Sequence, residues 1–498
     1  MMSWILYAVL QVSVAAAFAM PLGAQKIVAY WDQTERISRT TPTLQVVVNP
    51  PLRRGSPIHD RAFAELRKLD ANYVRYVPWL PYPKLAVAEL EPPTKDQTSW
   101  DFSLIDPMTI DFLNATKGHP VILNFSTIPQ WMFRTAKPVS YPQDPDQVTW
   151  GYTQGTELRD PAMNELGAYY GRLVSWYVNG GFQDELGKRH ESGHHFHIDY
   201  LEVLNEVDFE HKMTPEQYTE RYDAIVSAIR KVAPAMKFVG LALADPSSNP
   251  RMFEYFLDHK NHKPGIPLDM ISYHFYASPT PDQNPGVQQY TFFEQADRFI
   301  ATVRYIESIR QRLSPSTQTT VDEIGSISAD DDAQAQPGHV TKPIPDSYWN
   351  LSGATYAYVF GHLAELGIDI AGESQLIGYP TQFPSVSMLD WDTGAPNARF
   401  RVLELLKDNF GPADKVVKTM AESPYIYALG FLGRDGKRKL LLVNKRDRDF
   451  ELTLPGQGEQ IEFVDQRTKQ DPPKKEPLNT NMVSLHGLAV AVVSFRQE

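Results

Sequence analysis

Cysteine is absent from all 498 residues. That absence excludes disulfides, thiolate nucleophiles, Cys-bound zinc and iron–sulfur clusters together. An excess of positive charge is missing as well: 48 Lys and Arg stand against 60 Asp and Glu, a formal net charge of −12. A surface of that sign repels polyphosphates, so nucleic acid is not an expected partner. Beyond residue 24 there is no apolar run long enough to span a bilayer. A Gly-rich phosphate turn is also lacking, since the first strand-like run is followed by Asn49-Pro50-Pro51-Leu52. This argues against an open dinucleotide-binding sheet. What is present is ordinary globular composition, 42% hydrophobic and 22% charged, in a chain long enough to bury a large core.

The N-terminus stands apart. Ile5 to Met20 is almost continuously apolar, interrupted by Gln11 and Ser13, and small residues follow. The pattern predicts a signal peptide over 1–24, cleaved after Ala19 or Ala24, although no Lys or Arg occupies Met1 to Tyr7. The mature protein is then expected to be secreted or periplasmic, without stable membrane insertion.

From Leu44 onward, short β-branched runs alternate with longer segments of helical period. The expected strands are 44–48, 73–77, 120–124, 200–204, 237–241, 270–274, 319–323 and 368–371. The helices that follow them in turn are expected at 58–69, 104–116, 164–178, 215–232, 252–259, 292–313, 356–366 and 400–409. Thr214, Pro215 and Gln217 give the fourth helix a capping box with Pro at its first position. Eight strand–helix units imply parallel pairing, right-handed crossovers and closure into a (β/α)8 TIM barrel over 44–410. After Gly411 six strand-like runs occur without a helix, separated by turns such as Gly433-Arg434-Asp435-Gly436. They predict an antiparallel β-sandwich over 411–498, joined by strand material from 25–43.

In such a barrel the chemistry sits at the C-terminal ends of the strands. The fourth run ends Leu204-Asn205-Glu206 and the seventh Val321-Asp322-Glu323. Two carboxylates facing one another across a cleft are what glycosidic cleavage requires, one as proton donor and the other as nucleophile or base. Arg75 ends the second strand, His274 and Tyr276 the sixth, and Glu373 the eighth. Trp79, Trp131, Trp150, Trp349 and Trp391, all near strand ends or in loops, are candidates for stacking on sugar rings. Asp322, one residue before Glu323 on a strand, is expected to point to the opposite face and to lie outside the sugar site.

A chain with these features resembles glycoside hydrolase family 39, the β-xylosidase and α-L-iduronidase group, within the large clan of retaining (β/α)8 glycosidases. The resembling stretches are Trp100 to Asp106, Val121 to Trp131, Tyr200 to Glu206 with the Gln217-Tyr218 helix, and Asp269 to Tyr276. The resemblance implies an acid/base at Glu206, a nucleophile at Glu323 and no cofactor. It further implies that Asn205 bonds the sugar 2-hydroxyl, that Arg75 and Tyr276 hold Glu323 ionised, and that His274 lines the sugar subsite. The substrate is then an oligo- or polysaccharide or other glycoside. Three positions depart from the family: Val207 replaces a Pro, Val239-Gly240-Leu241 replaces a Gly-Gly-Pro run, and Glu373-Ser374 stands where an aromatic is common. Trp391 could supply that aromatic from a loop. Glu373 could recognise a hydroxyl or pair with a base. The alternative is a non-catalytic carbohydrate-binding protein on a glycosidase fold.

Other signals point less far. His190-Glu191-Ser192-Gly193-His194 matches a zinc-peptidase pattern, but Gly193 and polar neighbours oppose the helix which that chemistry needs, so no metal site is expected. Asp330-Asp331-Asp332 lacks the further glutamate of a calcium loop and reads as a solvated acidic loop. Asn114 and Asn350 begin glycosylation sequons, meaningful only in a eukaryotic secretory host.

Overall fold

A computed structural model of the protein describes residues 24–153, 155–336 and 338–496. The expected signal peptide lies outside them, save for Ala24. The chain begins with β1 (Gln25–Ile37) and then enters the barrel. The next strands are β2 (Thr41–Val47), β3 (Val74–Val77) and β4 (Val121–Leu123). A small hairpin, β5 (Gly181–Gln183) and β6 (Arg189–Glu191), precedes β7 (Tyr200–Glu202). The barrel continues with β8 (Lys237–Leu243), β9 (Met270–Ala277), β10 (Gln318–Ser326) and β11 (Ile370–Glu373). The order β10-β11-β2-β3-β4-β7-β8-β9 closes on itself, every pair parallel. This is the eight-stranded barrel that the alternation implied.

Its helices in chain order are α1 (His59–Leu69), the one-turn α2 (Pro83–Ala86), α3 (Ile105–Ala115), α4 (Asn164–Val178) and α5 (Pro215–Val232). They are followed by α6 (Pro250–Phe256), α7 (Pro285–Leu313), α8 (Asp346–Leu366) and α9 (Ala398–Asn409). α5 carries both bonds of its capping box. Two helices start earlier than their apolar periodicity suggests. α7 is capped by the Asn284 side chain and has Pro285 at its first position. α8 begins at Asp346, and its buried residues are spread around the helix rather than along one stripe, which blurs the 3.6-residue signal. The Asn350 sequon falls inside α8 and is buried, so it is poorly placed as a glycan acceptor.

The β unit is a nine-stranded sheet built on β1 with β12 (Lys415–Ala421), β13 (Ile426–Leu432), β14 (Arg438–Asn444), β15 (Phe450–Thr453), β16 (Gly458–Val464), β17 (Lys474–Pro477), β18 (Met482–Leu485) and β19 (Val490–Phe495). Its order is β17-β16-β19-β14-β13-β12-β1-β15-β18. β1 is long enough to pair antiparallel with β12 at one end of its partners and parallel with β15 on the other side, so the sheet curls into two layers. Alternation along β14 divides the core. Leu440 and Leu442 pack inside the curl against Phe450 and Leu452, whereas Leu441 and Val443 join the barrel's hydrophobic core. β14 is therefore buried on both faces over most of its length.

Candidate active site

β7 ends at Glu202, and the chain turns over Val203 to Glu206. Leu204 and Glu206 adopt left-handed backbone, φ +65° and +39°, which β-strand continuation would forbid. The Glu206 N–H is anchored to the Ala242 carbonyl at 2.8 Å. Strain of this kind in non-glycine residues persists where surrounding structure over-determines it. On the far side of the barrel, β10 contains a bulge. Val321 pairs with Tyr273 and Glu323 with His274, leaving Asp322 as the extra residue. The bulge breaks simple alternation, and Asp322 does not point outward as a regular strand would require. Its carboxyl lies 3.5 Å from Arg75 Nε and 3.6 Å from His274 Nε2, buried below the cavity. Gly372 permits the bulge, since a Cβ there would stand 2.9 Å from the Asp322 carbonyl oxygen.

Glu206 and Glu323 meet over His274. The imidazole Nδ1 is 2.9 Å from Glu206 Oε1 and 3.6 Å from Glu323 Oε2. One oxygen of each carboxyl and one nitrogen of His274 all lie within 4.8 Å of one another. Glu323 is further held by the Tyr276 hydroxyl on Oε2 and by Arg75 Nη1 on Oε1, each at 2.5 Å. Arg75 is fully enclosed and spends its other donors on Glu202 (2.5 Å), Gln45 (2.6 Å) and Asn205 Oδ1 (2.7 Å). Gly325 keeps Tyr276 in place, because a Cβ there would press within 3.0 Å of the phenol ring.

The two glutamates ionise differently. Burial pushes both carboxyls up. For Glu323 the charges of His274 and Arg75 and the Tyr276 hydrogen bond outweigh burial and bring it below its ordinary value. For Glu206 burial prevails over the His274 contact, with the Glu323 charge adding to it, so it stays above its ordinary value. His274 itself loses basicity through burial but gains more from Glu323 and Glu206, and ends at about 9. Both its nitrogens then carry protons at neutral pH. Protonated His274 is an ion-pair partner to both carboxyls; the same three atoms could hold a cation only with the imidazole neutral. Lower in the barrel, Glu202 is held down by Arg75 despite burial, while burial and the Glu202 charge drive Asp322 well above its ordinary value. Two cations, Arg75 and His274, thereby face two favoured carboxylates, Glu202 and Glu323.

Above the pair opens a cavity of about 770 Å³. Of the anticipated residues, Asn205, Glu206, Tyr276 and Glu323 line it, together with Trp79 and Trp150. Arg75 and His274 lie underneath and act on the carboxyls; His274 does not line the cavity as a sugar subsite would require. Glu373 is elsewhere. It is fully buried, turned toward α9, and bonded to Arg399 Nε at 3.0 Å, because the strand end that carries it directs Gln375 rather than Glu373 into the cavity. Trp131 is elsewhere too: its indole bonds the Glu89 carbonyl at 2.9 Å and stacks under Arg159. Trp349 and Trp391 line a different cavity. The histidine run forms no helix. His190 sits on β6 bonded to Asp184, His194 contacts Asp106, and Gly193 between them has φ +70°. The acidic run is not wholly solvated, since Asp331 is buried and bonded to Ser328 and Ser385.

Several members of the site were not anticipated. Glu210 reaches the cavity, bonded to Trp79 Nε1 (2.6 Å) and Asn205 Nδ2 (2.9 Å), and burial, with the Glu206 charge, lifts it to about 8. Gln45 bridges Arg75 and Ser374, and Ser374 also bonds Tyr276 at 2.6 Å. Glu202 gathers Arg75, Asn124 and Ser272. The usable signal was a polar residue inside an apolar strand, as in Leu44-Gln45-Val46 or Leu201-Glu202-Val203. Glu210 gave no such signal.

No protein-family model matches the sequence, and no curated protein matches it. Solved structures match in three dimensions. The GH51 arabinofuranosidase from Xanthomonas axonopodis pv. citri aligns with TM-score 0.63 at 12% identity, over 95% of this chain and 100% of that one. An α-L-arabinofuranosidase from Thermotoga maritima, in complex with arabinose, gives 0.62 at 13%, with 95% and 100% covered. A GH30 endoxylanase from Clostridium papyrosolvens C71 gives 0.59 at 12%, again over 95% and 100%. What they share with this chain is the fold. It is the barrel with an attached β unit found in these glycoside hydrolases, and it does not single out family 39.

Proposed function

We propose that this protein is an exported retaining glycoside hydrolase, acting on O-glycosidic bonds with Glu323 as nucleophile and Glu206 as acid/base. The observation that carries the reading is the separation of the pair. Their nearest oxygens lie within 4.8 Å. Carboxyls about 5–5.5 Å apart accompany retention, and inverting pairs stand about 6.5–9.5 Å apart to admit a water. The opposite ionisation tendencies assign the roles: the cation-caged Glu323 is available to attack, and the buried Glu206 is suited to hold a proton.

In the first step Glu323 bonds to the anomeric carbon while Glu206 delivers its proton to the departing oxygen. Once Glu323 is esterified, its negative charge no longer opposes ionisation of Glu206, and Glu206 becomes the better base. It then deprotonates a water that attacks the anomeric carbon and releases Glu323. Asn205 Nδ2, now on Glu210, is placed to be shared with a sugar 2-hydroxyl. A specificity within the β-xylosidase and α-L-iduronidase group is the finer part of this proposal, resting on the motif resemblance. The test is a panel of aryl glycosides followed by a 2-fluoro sugar inactivator and peptide mapping. Label on Glu323 supports the assignment; label elsewhere, or no hydrolysis of any glycoside, removes it.

A further inference from the structure

A second cavity, about 360 Å³, lies between the start of α8, the 389–397 loop leading into α9, and the Lys469-Gln470 turn of the β unit. It shares no lining residue with the Glu206–Glu323 cavity, although one loop borders both, through Asp331 to Ala335 on one side and Thr341 to Ile344 on the other. Its walls carry two tryptophans, Trp349 and Trp391, both partly exposed. Among the described residues neither indole N–H has a protein partner, as is also true of Trp150 in the Glu206–Glu323 cavity, whereas the indoles of Trp79, Trp100, Trp131 and Trp176 are bonded.

Asn350 supplies an independent sign of a ligand. It is 3% exposed and lines this cavity, and among the described residues its buried side-chain amide nitrogen has no hydrogen-bond partner. A buried amide left unpaired is costly and uncommon, and such groups mark places where something else completes the bonding. The charged lining is of mixed sign, Lys342 and Lys469 with Asp346 and Asp390, so no strongly charged ligand is selected. Flat indole faces suit the C–H face of a sugar ring, and the Asn350 amide beside them has unused hydrogen-bonding capacity of the kind a hydroxyl satisfies. We infer that this cavity is a second carbohydrate-binding site, which holds uncharged sugar residues of a polysaccharide through Trp349, Trp391 and Asn350 while hydrolysis proceeds elsewhere.

The inference rests on the glycosidase reading for its class of ligand, and its test separates the two. Wild type, Trp391→Ala, Trp349→Ala and Asn350→Leu are run by native affinity electrophoresis in gels containing arabinoxylan, xyloglucan or mixed-linkage β-glucan. Each is also assayed on small aryl glycosides. The expected result is retardation of wild type by at least one polymer. Each variant should bind that polymer about tenfold more weakly, with aryl glycoside kcat/KM within twofold of wild type. Asn350→Leu is the safeguard against misfolding, because it removes the amide without opening a void. Equal retardation of all variants, no retardation of wild type, or loss of retardation only on Trp79→Ala in the catalytic cavity would each overturn the inference. Retardation lost in the variants of a protein that hydrolyses no glycoside would instead uphold this site and sink the proposed reaction.

Discussion

Glu206 and Glu323 are the same residue type, both enclosed, their nearest oxygens within 4.8 Å, and they share one imidazole. They nevertheless shift in opposite directions. The difference lies in the number of charge-stabilising partners. Glu323 is approached from three sides by Arg75, Tyr276 and His274. Glu206 has His274 alone, on a backbone turn that lifts it away from the arginine. Burial acts on both, so partner count decides the sign. Two neighbouring carboxyls are thereby divided into a base-like and an acid-like member.

Removing one member of the pair gives the largest effect. Glu323→Ala should lower kcat on aryl glycosides by at least ~10⁴-fold, since no other group is placed to form the covalent intermediate; residual turnover within tenfold of wild type would break the comparison. Glu206→Ala should cost about 10²–10⁴-fold with poor leaving groups and much less with a nitrophenolate, which needs no proton. Added azide should restore the second step and yield a glycosyl azide of retained configuration, which chromatography of the products would identify. Tyr276→Phe takes one partner from Glu323, a charge-assisted bond of about 1.5–3 kcal/mol, and should lower kcat/KM by about 10–100-fold. The sign of its pH effect is fixed: fewer stabilising contacts raise the Glu323 pKa, so the acid limb of the pH profile moves to higher pH. An unmoved limb would show that Tyr276 does not govern ionisation.

The smallest expected effect concerns a carboxyl on which burial outweighs the weak pull of Arg172 and the Ser99 backbone. Glu89 is enclosed, neither oxygen is hydrogen-bonded, and burial raises it to about 8. Its folded-state pKa exceeds the unfolded value, so the folded state is favoured by this group below about pH 4.5 and loses that advantage as pH rises through about 8. Glu89→Gln should therefore flatten the decline in Tm between about pH 4.5 and 8, by about 1 °C for each kcal/mol recovered in a chain of this size. Identical Tm–pH curves for the two proteins would remove the claim that burial sets its ionisation.

Much of the barrel could be read from the order of residues. The expected helices at 164–178 and 215–232 coincide with α4 and α5, because apolar spacing and a capping box are local signals. α8 was anticipated only in its second half, since a helix buried on most sides loses its stripe. In the site, Glu206 and Glu323 were visible as carboxyls ending the fourth and seventh runs. Glu373 ended a run as well and yet packs against Arg399 away from the cavity. Asp322 lies outside the cavity, as expected, but it points to Arg75 and His274 rather than outward, because alternation assumes a regular strand and the bulge at 322 cancels it. Glu210 and the amide of Asn350 acquire meaning only from neighbours distant in sequence.

The chain order by itself determined the eightfold alternation, the trailing strands and the two carboxyls at the C-terminal ends of the fourth and seventh runs, because hydrophobic period and turn chemistry act over a few residues. Tertiary structure alone decided which side chains face the cavity and which glutamate keeps its proton. Those outcomes depend on strand register, bulges and the sum of charges brought together by closure of the barrel, and Coulomb interactions between residues 75, 206, 274 and 323 exist only once the ring is shut.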